Sequence, residues 1–168
     1  MRLVLSGLVA AGLLSSQMAA AACISPADRE ALDVAGLKTN LMVVTLTCKT
    51  DDQYNAFINK WKTELNGDER TAHTYFEHAY GRTGQKRQDE YMTQLANAKA
   101  DASQHDGSRF CPHNENMFNE VMALQSGNEL REYAAGRATA VPASYASCDG
   151  TSASPSRPTR RSTTRHRR

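Results

Sequence analysis

The stretch from Leu37 to Trp61 constrains the fold of this chain most. It holds the longest apolar run after the first 22 residues, a cysteine and the only tryptophan. Apolar residues recur here, and just upstream, at steps of three and four, which is the period of one helical face. The members of this face are Ala31, Val34, Leu37, Leu41, Val44 and Cys48. The stretch therefore predicts the end of a buried helix, a tight corner and the start of a second, amphipathic helix.

A β-strand is the alternative for residues 43–47, which are rich in β-branched side chains. A strand needs a partner, and no other segment is predicted to form a strand of useful length. We therefore expect one helix that begins at Pro26 behind an N-cap at Ser25 and ends near Thr47.

Shorter helices follow along the chain. Thr50 and Gln53 form a capping-box pattern, and Asn66–Gly67 is a stop signal for that second helix. Asp68 is predicted to cap a third helix that ends at Gly81. Further helices are predicted over residues 85–104, from 112 to about 125, and from about 128 to 136. The prediction is an all-α, compact bundle of five to six short helices over residues 23–149, with antiparallel neighbours because the connections are short.

The first 22 residues have the pattern of a secretory signal peptide. Arg2 supplies the positive charge, Leu3–Leu14 the apolar segment, and Ala20–Ala22 the cleavage site. We expect a protein exported to the periplasm or the medium, with Cys23 as its first mature residue. A membrane anchor, and lipid attachment at Cys23, are the alternatives.

Four cysteines in an exported chain predict two disulfides. A helix over residues 26–47 would be about 33 Å long, which separates Cys23 from Cys48 too far for a disulfide. This excludes that pairing and its complement, Cys111–Cys148. We favour Cys48–Cys111 with Cys23–Cys148 over Cys23–Cys111 with Cys48–Cys148. A single disulfide with Cys23 lipidated or free stays open.

A spaced set of residues carries a resemblance to a known family. The set comprises Leu37–Lys38, Leu41–Val44, Cys48, Tyr54–Phe57 and Phe110–Pro112. Over about residues 32–125 the chain resembles an uncharacterised family of small secreted bacterial all-helical proteins. That family has no assigned activity, so the resemblance implies export and a Cys48–Cys111 pair, and nothing catalytic.

The net charge of +2 hides two oppositely charged parts. Residues 28–149 hold all 18 acidic residues and have a net charge of about −5, whereas residues 150–168 hold six arginines and no acid. This Ser/Thr/Pro/Arg-rich tail has no apolar periodicity, so we expect it to be disordered. Its arginines would contact an anionic envelope polymer or lipid surface, and nucleic acid is not expected as a partner of an exported chain. They are Arg157, Arg160, Arg161, Arg165, Arg167 and Arg168. A merely solubilising extension is the alternative.

Candidate catalytic and metal-binding residues are few. His73 and Glu77 lie four apart on the third predicted helix, followed by His78, but no H-E-x-x-H motif is present. His113 lies two residues after Cys111, which raises the hypothesis of a cysteine nucleophile activated by histidine. A disulfide at Cys111 would exclude it, because no thiol would be left. We expect solvated side chains at these positions, with no cofactor and no metal.

Paired acids occur at Asp51–Asp52, Asp68–Glu69 and Asp89–Glu90. We interpret them as residues in or near first helical turns, where the helix dipole favours negative charge. Gly81–Gly84 is interpreted as a helix connector, with anion binding by its backbone and Arg82 as the alternative.

The sequence thus favours an exported, non-catalytic helical protein that binds a partner or has a structural role in the bacterial envelope. A small secreted hydrolase with a site between the third and fourth helices is the first alternative. A helical ligand carrier with an aromatic groove is the second.

Overall fold

The computed structural model describes residues 24–137. All regular structure in this range is helical, which confirms the predicted all-α class. The α-helices are α1 Pro26–Cys48, α2 Asp51–Lys60, α3 Lys62–Tyr80, α4 Gly84–Asp106, α5 Phe110–Asn114, α6 Asn116–Ala123 and α7 Gly127–Arg137, with short 3-10 turns at Gly81–Thr83 and Gly107–Arg109. The predicted signal peptide and basic tail lie outside the described residues.

The first helix forms as its sequence signals predict. The backbone N–H of Asp28 donates to the Ser25 hydroxyl oxygen at 3.2 Å, and that hydroxyl donates to the Asp28 carboxylate at 2.6 Å. At the other end Lys49 adopts a left-handed conformation with φ 63°, and its N–H donates to the Thr45 carbonyl. Residues 43–47 are therefore helical, and the strand alternative is wrong.

Helix α1 is the centre of the domain, with α3, α4 and α7 packed along it. From Val34 onward it contributes to a main core shared with α2, α3, α5, α6 and α7. The buried members of the main core are Val34, Leu37, Leu41, Val44, Phe57, Trp61, Leu65, Phe110, Met117, Phe118, Val121, Leu130 and Ala134. Its N-terminal part contributes to a second core with α3 and α4, made of Ile24, Ala31, Leu32, Ala72, Tyr75, Phe76, Tyr91 and Leu95. Polar residues of α1 are buried as well, namely Asp33, Thr39, Asn40 and Thr45.

By length and composition alone, α1 is apolar enough to cross a membrane, with a mean hydropathy of 1.2 over its best 18-residue window. In the fold 67% of that window is buried against other helices. The packing seen here therefore accounts for its apolar character as that of a core helix.

The break between α2 and α3 lies at a different position from the predicted one. Asn66–Gly67 does not end a helix, because α3 runs through both residues. The helix is interrupted instead at Trp61, which is 3% exposed and donates its indole N–H to the Val121 carbonyl at 3.1 Å. This side chain belongs to the main core. Thr50 is the N-cap residue of α2, as predicted, but its side chain makes no capping bond, since its hydroxyl donates to that of Thr45 at 3.4 Å.

A disulfide joins Cys48, the last residue of α1, to Cys111 in α5, with the Cα atoms 5.6 Å apart. It connects positions 63 residues apart in the sequence. The complementary Cys23–Cys148 pair lies outside the described residues and stays a prediction.

Helices α3 and α4 meet at a corner that requires glycine twice. Gly81 has φ 55° and ψ −130°, a conformation that side chains disfavour. A Cβ atom at Gly84 would lie 2.7 Å from the Phe76 carbonyl oxygen. The start of α4 therefore packs directly on the backbone of α3, which closes the second core.

Candidate functional site

The cleft between α1, α3 and α4 contains a small cavity of about 50 Å³. Its walls are mostly apolar and belong to Leu32, Val34, Ala35, Lys38, Leu65, Asp68, Glu69, Ala72, Phe76, Gln88, Tyr91 and Met92. Pockets that enclose drug-sized ligands measure roughly 300–1,000 Å³. This cavity is too small for the cargo of a ligand carrier, and that alternative gains no support from it.

A polar groove of about 460 Å³ runs over the outer surface of α3 and α4. It shares Glu69 and Gln88 with the inner cavity. Its other lining residues are Arg70, His73, Thr74 and Gln85. The groove is large enough for part of a polar ligand or a segment of a partner, so it is a candidate binding surface of the described residues.

Two polar contacts lie where groove and cavity adjoin. The Nδ1 atom of His73 lies 2.9 Å from the Gln88 side-chain oxygen, within hydrogen-bond distance. The Lys38 ammonium lies 3.4 Å from the Glu69 carboxylate. Both contacts bridge different helices, His73 to Gln88 between α3 and α4, and Lys38 to Glu69 between α1 and α3.

Of the three residues considered for a hydrolase, His73 and Glu77 lie close together and His78 does not join them. His73 Nε2 lies 3.4 Å from the Glu77 carboxylate, but these side chains are 41% and 58% exposed. His78 is exposed and lines neither the groove nor the cavity. Within residues 24–137 no three His, Cys, Asp or Glu side chains converge on a metal site. The geometry offers a solvated pair here, without the desolvated carboxyl that acid–base hydrolysis requires.

The disulfide overturns the Cys111–His113 nucleophile hypothesis, because Cys111 has no free thiol. Arg82 is exposed on the 3-10 turn between α3 and α4, where Thr83 donates its hydroxyl to the Tyr80 carbonyl at 2.9 Å. These contacts fit the interpretation of Gly81–Gly84 as a connector.

The three acidic pairs differ in environment. Asp51–Asp52 lies in the first turn of α2, as predicted. Asp89–Glu90 lies just beyond the first turn of α4, with Asp89 exposed and Glu90 half-buried beside Lys86 and Arg87. Asp68–Glu69 lies in the middle of α3, so its assignment to a first turn is wrong.

Asp68 forms a buried ion pair that sequence reasoning missed. It is 6% exposed, and its Oδ1 atom accepts hydrogen bonds from Nε and Nη2 of Arg131, at 3.0 and 2.8 Å. The partners lie 63 residues apart on α3 and α7. No local pattern connects them, because their contact depends on how the two helices pack around α1.

A buried acid–tyrosine cluster lies at the N-terminal part of α1 and was also missed. Asp33, Tyr75 and Tyr91 are 5%, 5% and 3% exposed. Burial raises the pKa of the Asp33 carboxyl; the charge of Arg29 opposes that rise and the charge of Glu30 adds to it. Burial, with smaller contributions from neighbouring groups, raises the pKa of Tyr75 to about 12. Burial, assisted by the charge of Asp33, raises the pKa of Tyr91 as well.

Comparison with known proteins adds no assignment: no family model, no curated protein and no solved structure matches the chain.

Proposed function

We propose that the protein is an exported, non-catalytic helical protein that binds a partner or has a structural role in the bacterial envelope. The observation that carries this proposal is the Cys48–Cys111 disulfide, which ties α1 to α5. Disulfides persist in oxidising compartments outside the cytosol and are rare inside it. The apolar segment Leu3–Leu14 and the Ala20–Ala22 cleavage pattern support the same destination.

The contacts of the groove favour binding over chemistry. His73 and Glu77 are solvated, and Cys111 is oxidised. The two buried acids do not line the groove: Asp68 is paired with Arg131, and Asp33 is buried on α1. What the α3–α4 surface offers is a set of amide, hydroxyl and charged groups suited to hydrogen bonding with a polar partner.

The basic tail is proposed to attach this acidic domain to an anionic envelope polymer or lipid surface. The tail carries six arginines and no acid, whereas residues 28–149 have a net charge of about −5. Attraction to an anionic surface would therefore come from the tail and not from the domain. Each basic residue near an anionic membrane contributes about 1 kcal/mol, and the attraction decreases with salt.

Export is tested by the intact mass of the protein from its native host, alkylated before and after reduction. We expect a chain that begins at Cys23 and gains four alkyl groups only after reduction. A full-length chain with free thiols, recovered from the cytosol, would contradict export. A mass increased by acyl chains would instead identify a lipoprotein and disprove the Cys23–Cys148 pair.

The tether is tested by a variant that lacks residues 150–168. We expect it to lose its association with envelope fractions or anionic vesicles, whereas the full chain is released progressively between 50 and about 500 mM salt. A matched control replaces the six arginines by lysine, which keeps the charge and should retain most of the binding. Equal binding of the truncated and full chains would show that the tail is no tether.

A further inference from the structure

The inner cavity and the polar groove adjoin each other and differ in chemistry. The cavity, about 50 Å³ in volume, has mostly apolar walls, among them Leu32, Leu65 and Phe76. The groove, about 460 Å³ in volume, is lined by polar and charged side chains. Glu69 and Gln88 belong to both linings, so these two side chains lie at the boundary between the two spaces. A ligand that fills both spaces must carry a small apolar group beside a larger polar part.

The volume of the cavity limits the apolar group to about two carbon atoms. An engineered cavity of about 150 Å³ in another protein binds benzene, which corresponds to about 25 Å³ for each carbon atom. At that density the cavity of about 50 Å³ has room for a pair of methyl groups. A valine side chain carries such a pair on its Cβ atom, whereas glycine has no side-chain carbon and phenylalanine has a whole ring.

The boundary between groove and cavity consists of side chains that can rotate at low cost. The Lys38 ammonium lies 3.4 Å from the Glu69 carboxylate, and the Glu69 side chain is 60% exposed. Ion pairs at the surface contribute less than about 1 kcal/mol. Rotation of Glu69 away from Lys38 therefore costs little free energy, and it gives a ligand in the groove access to the cavity.

The groove offers hydrogen-bonding groups that suit a peptide backbone. The Gln88 side-chain oxygen contacts His73, which leaves its amide nitrogen to donate to a backbone carbonyl. Gln85 Nε2 donates to Asp89 at 2.9 Å, which leaves the Gln85 side-chain oxygen to accept from a backbone N–H. Among the described residues the groove lining includes no aromatic side chain on which a sugar ring could stack. These groups favour a polypeptide over a glycan.

We propose that the groove and the inner cavity together bind an extended polypeptide segment of a partner protein, with one valine-sized side chain of that segment in the cavity. The backbone of the segment lies in the groove and hydrogen-bonds to Gln85 and Gln88. This inference rests on the proposed role in binding a partner, and it adds the chemistry of the partner. The site is selective because glycine leaves the cavity empty and an aromatic ring does not fit.

The test is titration of the full chain with N-acetyl amino acid amides, followed by ¹H–¹⁵N NMR. We expect N-acetyl-valinamide to shift the amide signals around Ala72 and Gln88. The glycine and phenylalanine amides should bind about tenfold more weakly. Equal binding of the valine and glycine amides, or no shift with any of the amides, would overturn the proposal. Tighter binding of N-acetylglucosamine than of the valine amide would overturn the choice of a polypeptide.

Filling the cavity should weaken binding of the valine amide. Ala72 lines the cavity and is 3% exposed, so Ala72→Val places two methyl groups in the space that the ligand would occupy. We expect Ala72→Val to bind the valine amide about tenfold more weakly than the wild type does. Ala79→Val, on the same helix but outside the cavity lining, is the matched control and should bind as the wild type does. Unchanged binding in Ala72→Val would contradict the proposal.

Enlarging the cavity keeps the proposal testable if Ala72→Val folds poorly. Met92 is half-buried and lines the cavity, so Met92→Ala adds space to it. We expect this variant to bind the leucine amide more tightly than the valine amide, a reversal that a general loss of packing would not produce. Met122→Ala, which does not alter the cavity lining, is the control and should keep the preference for valine. The same preference in Met92→Ala would overturn the assignment of the cavity.

These measurements are independent of export and of the basic tail. If the tail binds envelope fractions and the valine amide does not bind the groove, this inference fails and the proposed function stands. If the chain is not exported and the valine amide binds as expected, the proposed function fails and the site stands.

Discussion

At the scale of the residue, two helical glycines differ in what a methyl group would meet. At Gly84 a Cβ atom would lie 2.7 Å from the Phe76 carbonyl oxygen and 2.9 Å from the Glu77 Cα atom, whereas at Gly36 it would meet nothing within 4 Å. We predict that Gly84→Ala destabilises the domain by about 1–3 kcal/mol, because backbone must move. Gly36→Ala should stabilise it by up to about 1 kcal/mol through helix propensity. Chemical denaturation of both variants measures the difference, and similar effects would contradict the close contact at Gly84.

The Asp68–Arg131 pair gives a second prediction at this scale. Arg131→Ala leaves a buried carboxylate without its cation, so we expect a loss of about 3 kcal/mol in unfolding free energy. The matched control is Lys38→Ala, which removes a more exposed pair with Glu69 and should cost less than about 1 kcal/mol. If Asp68→Asn restores most of the stability lost in Arg131→Ala, the cost is that of the unpaired charge. No rescue would point to lost packing of the Arg131 side chain.

Single residues are predictable from sequence when their partners are local. The Ser25 cap forms with Asp28, three positions away, and the pattern alone indicates it. Asp33 and Asp68 could not be recognised as buried, because their burial depends on helices that arrive from distant parts of the chain. Periodicity along α1 marks its most apolar face, but α1 is covered on additional sides by α3, α4 and α7.

At the scale of the element, the helices were predictable and some of their ends were not. The boundaries of α1 agree closely with its cap and its apolar period. The sequence of α2 has no glycine or proline that would predict its end before Trp61. The Trp61 side chain makes a tertiary hydrogen bond to the Val121 carbonyl at this position. Asn66–Gly67 is a stop signal by composition, yet tertiary packing keeps that segment helical.

The disulfide stabilises an element that is too short to be stable alone. Helix α5 has five residues, far fewer than an isolated helix needs. We predict that Cys48→Ala/Cys111→Ala lowers the unfolding free energy by about 4 kcal/mol, the loop-entropy value for a closed loop of this length. Amide exchange of α5 should increase more than that of α3 in the same variant. Equal protection of α5 with and without the disulfide would show that packing alone holds it.

At the scale of the described domain, α1 connects the two cores. It contributes more residues to the main core than α3, the other helix that both cores share, so the short helices pack around α1 rather than as a symmetric set of pairs. The all-α class followed from the sequence, but this arrangement did not, because amphipathic patterns indicate which faces are buried and not against which helix. The α3–α4 groove could not be predicted for the same reason, since its six lining side chains come from two helices.

The buried polar residues of α1 bear on how an exported chain would leave the cytosol. In the proposed route α1 passes through a translocation channel directly after the signal peptide, while it is still unfolded. A segment of this length that is sufficiently apolar leaves the channel sideways and stays in the bilayer. A polar residue within such a segment opposes its insertion, most strongly at the centre, where a single aspartate costs about 2.5–3.5 kcal/mol. If the chain is exported as we propose, Asp33 and Asn40, both buried in the folded core, would therefore favour passage of α1 across the membrane over its retention there.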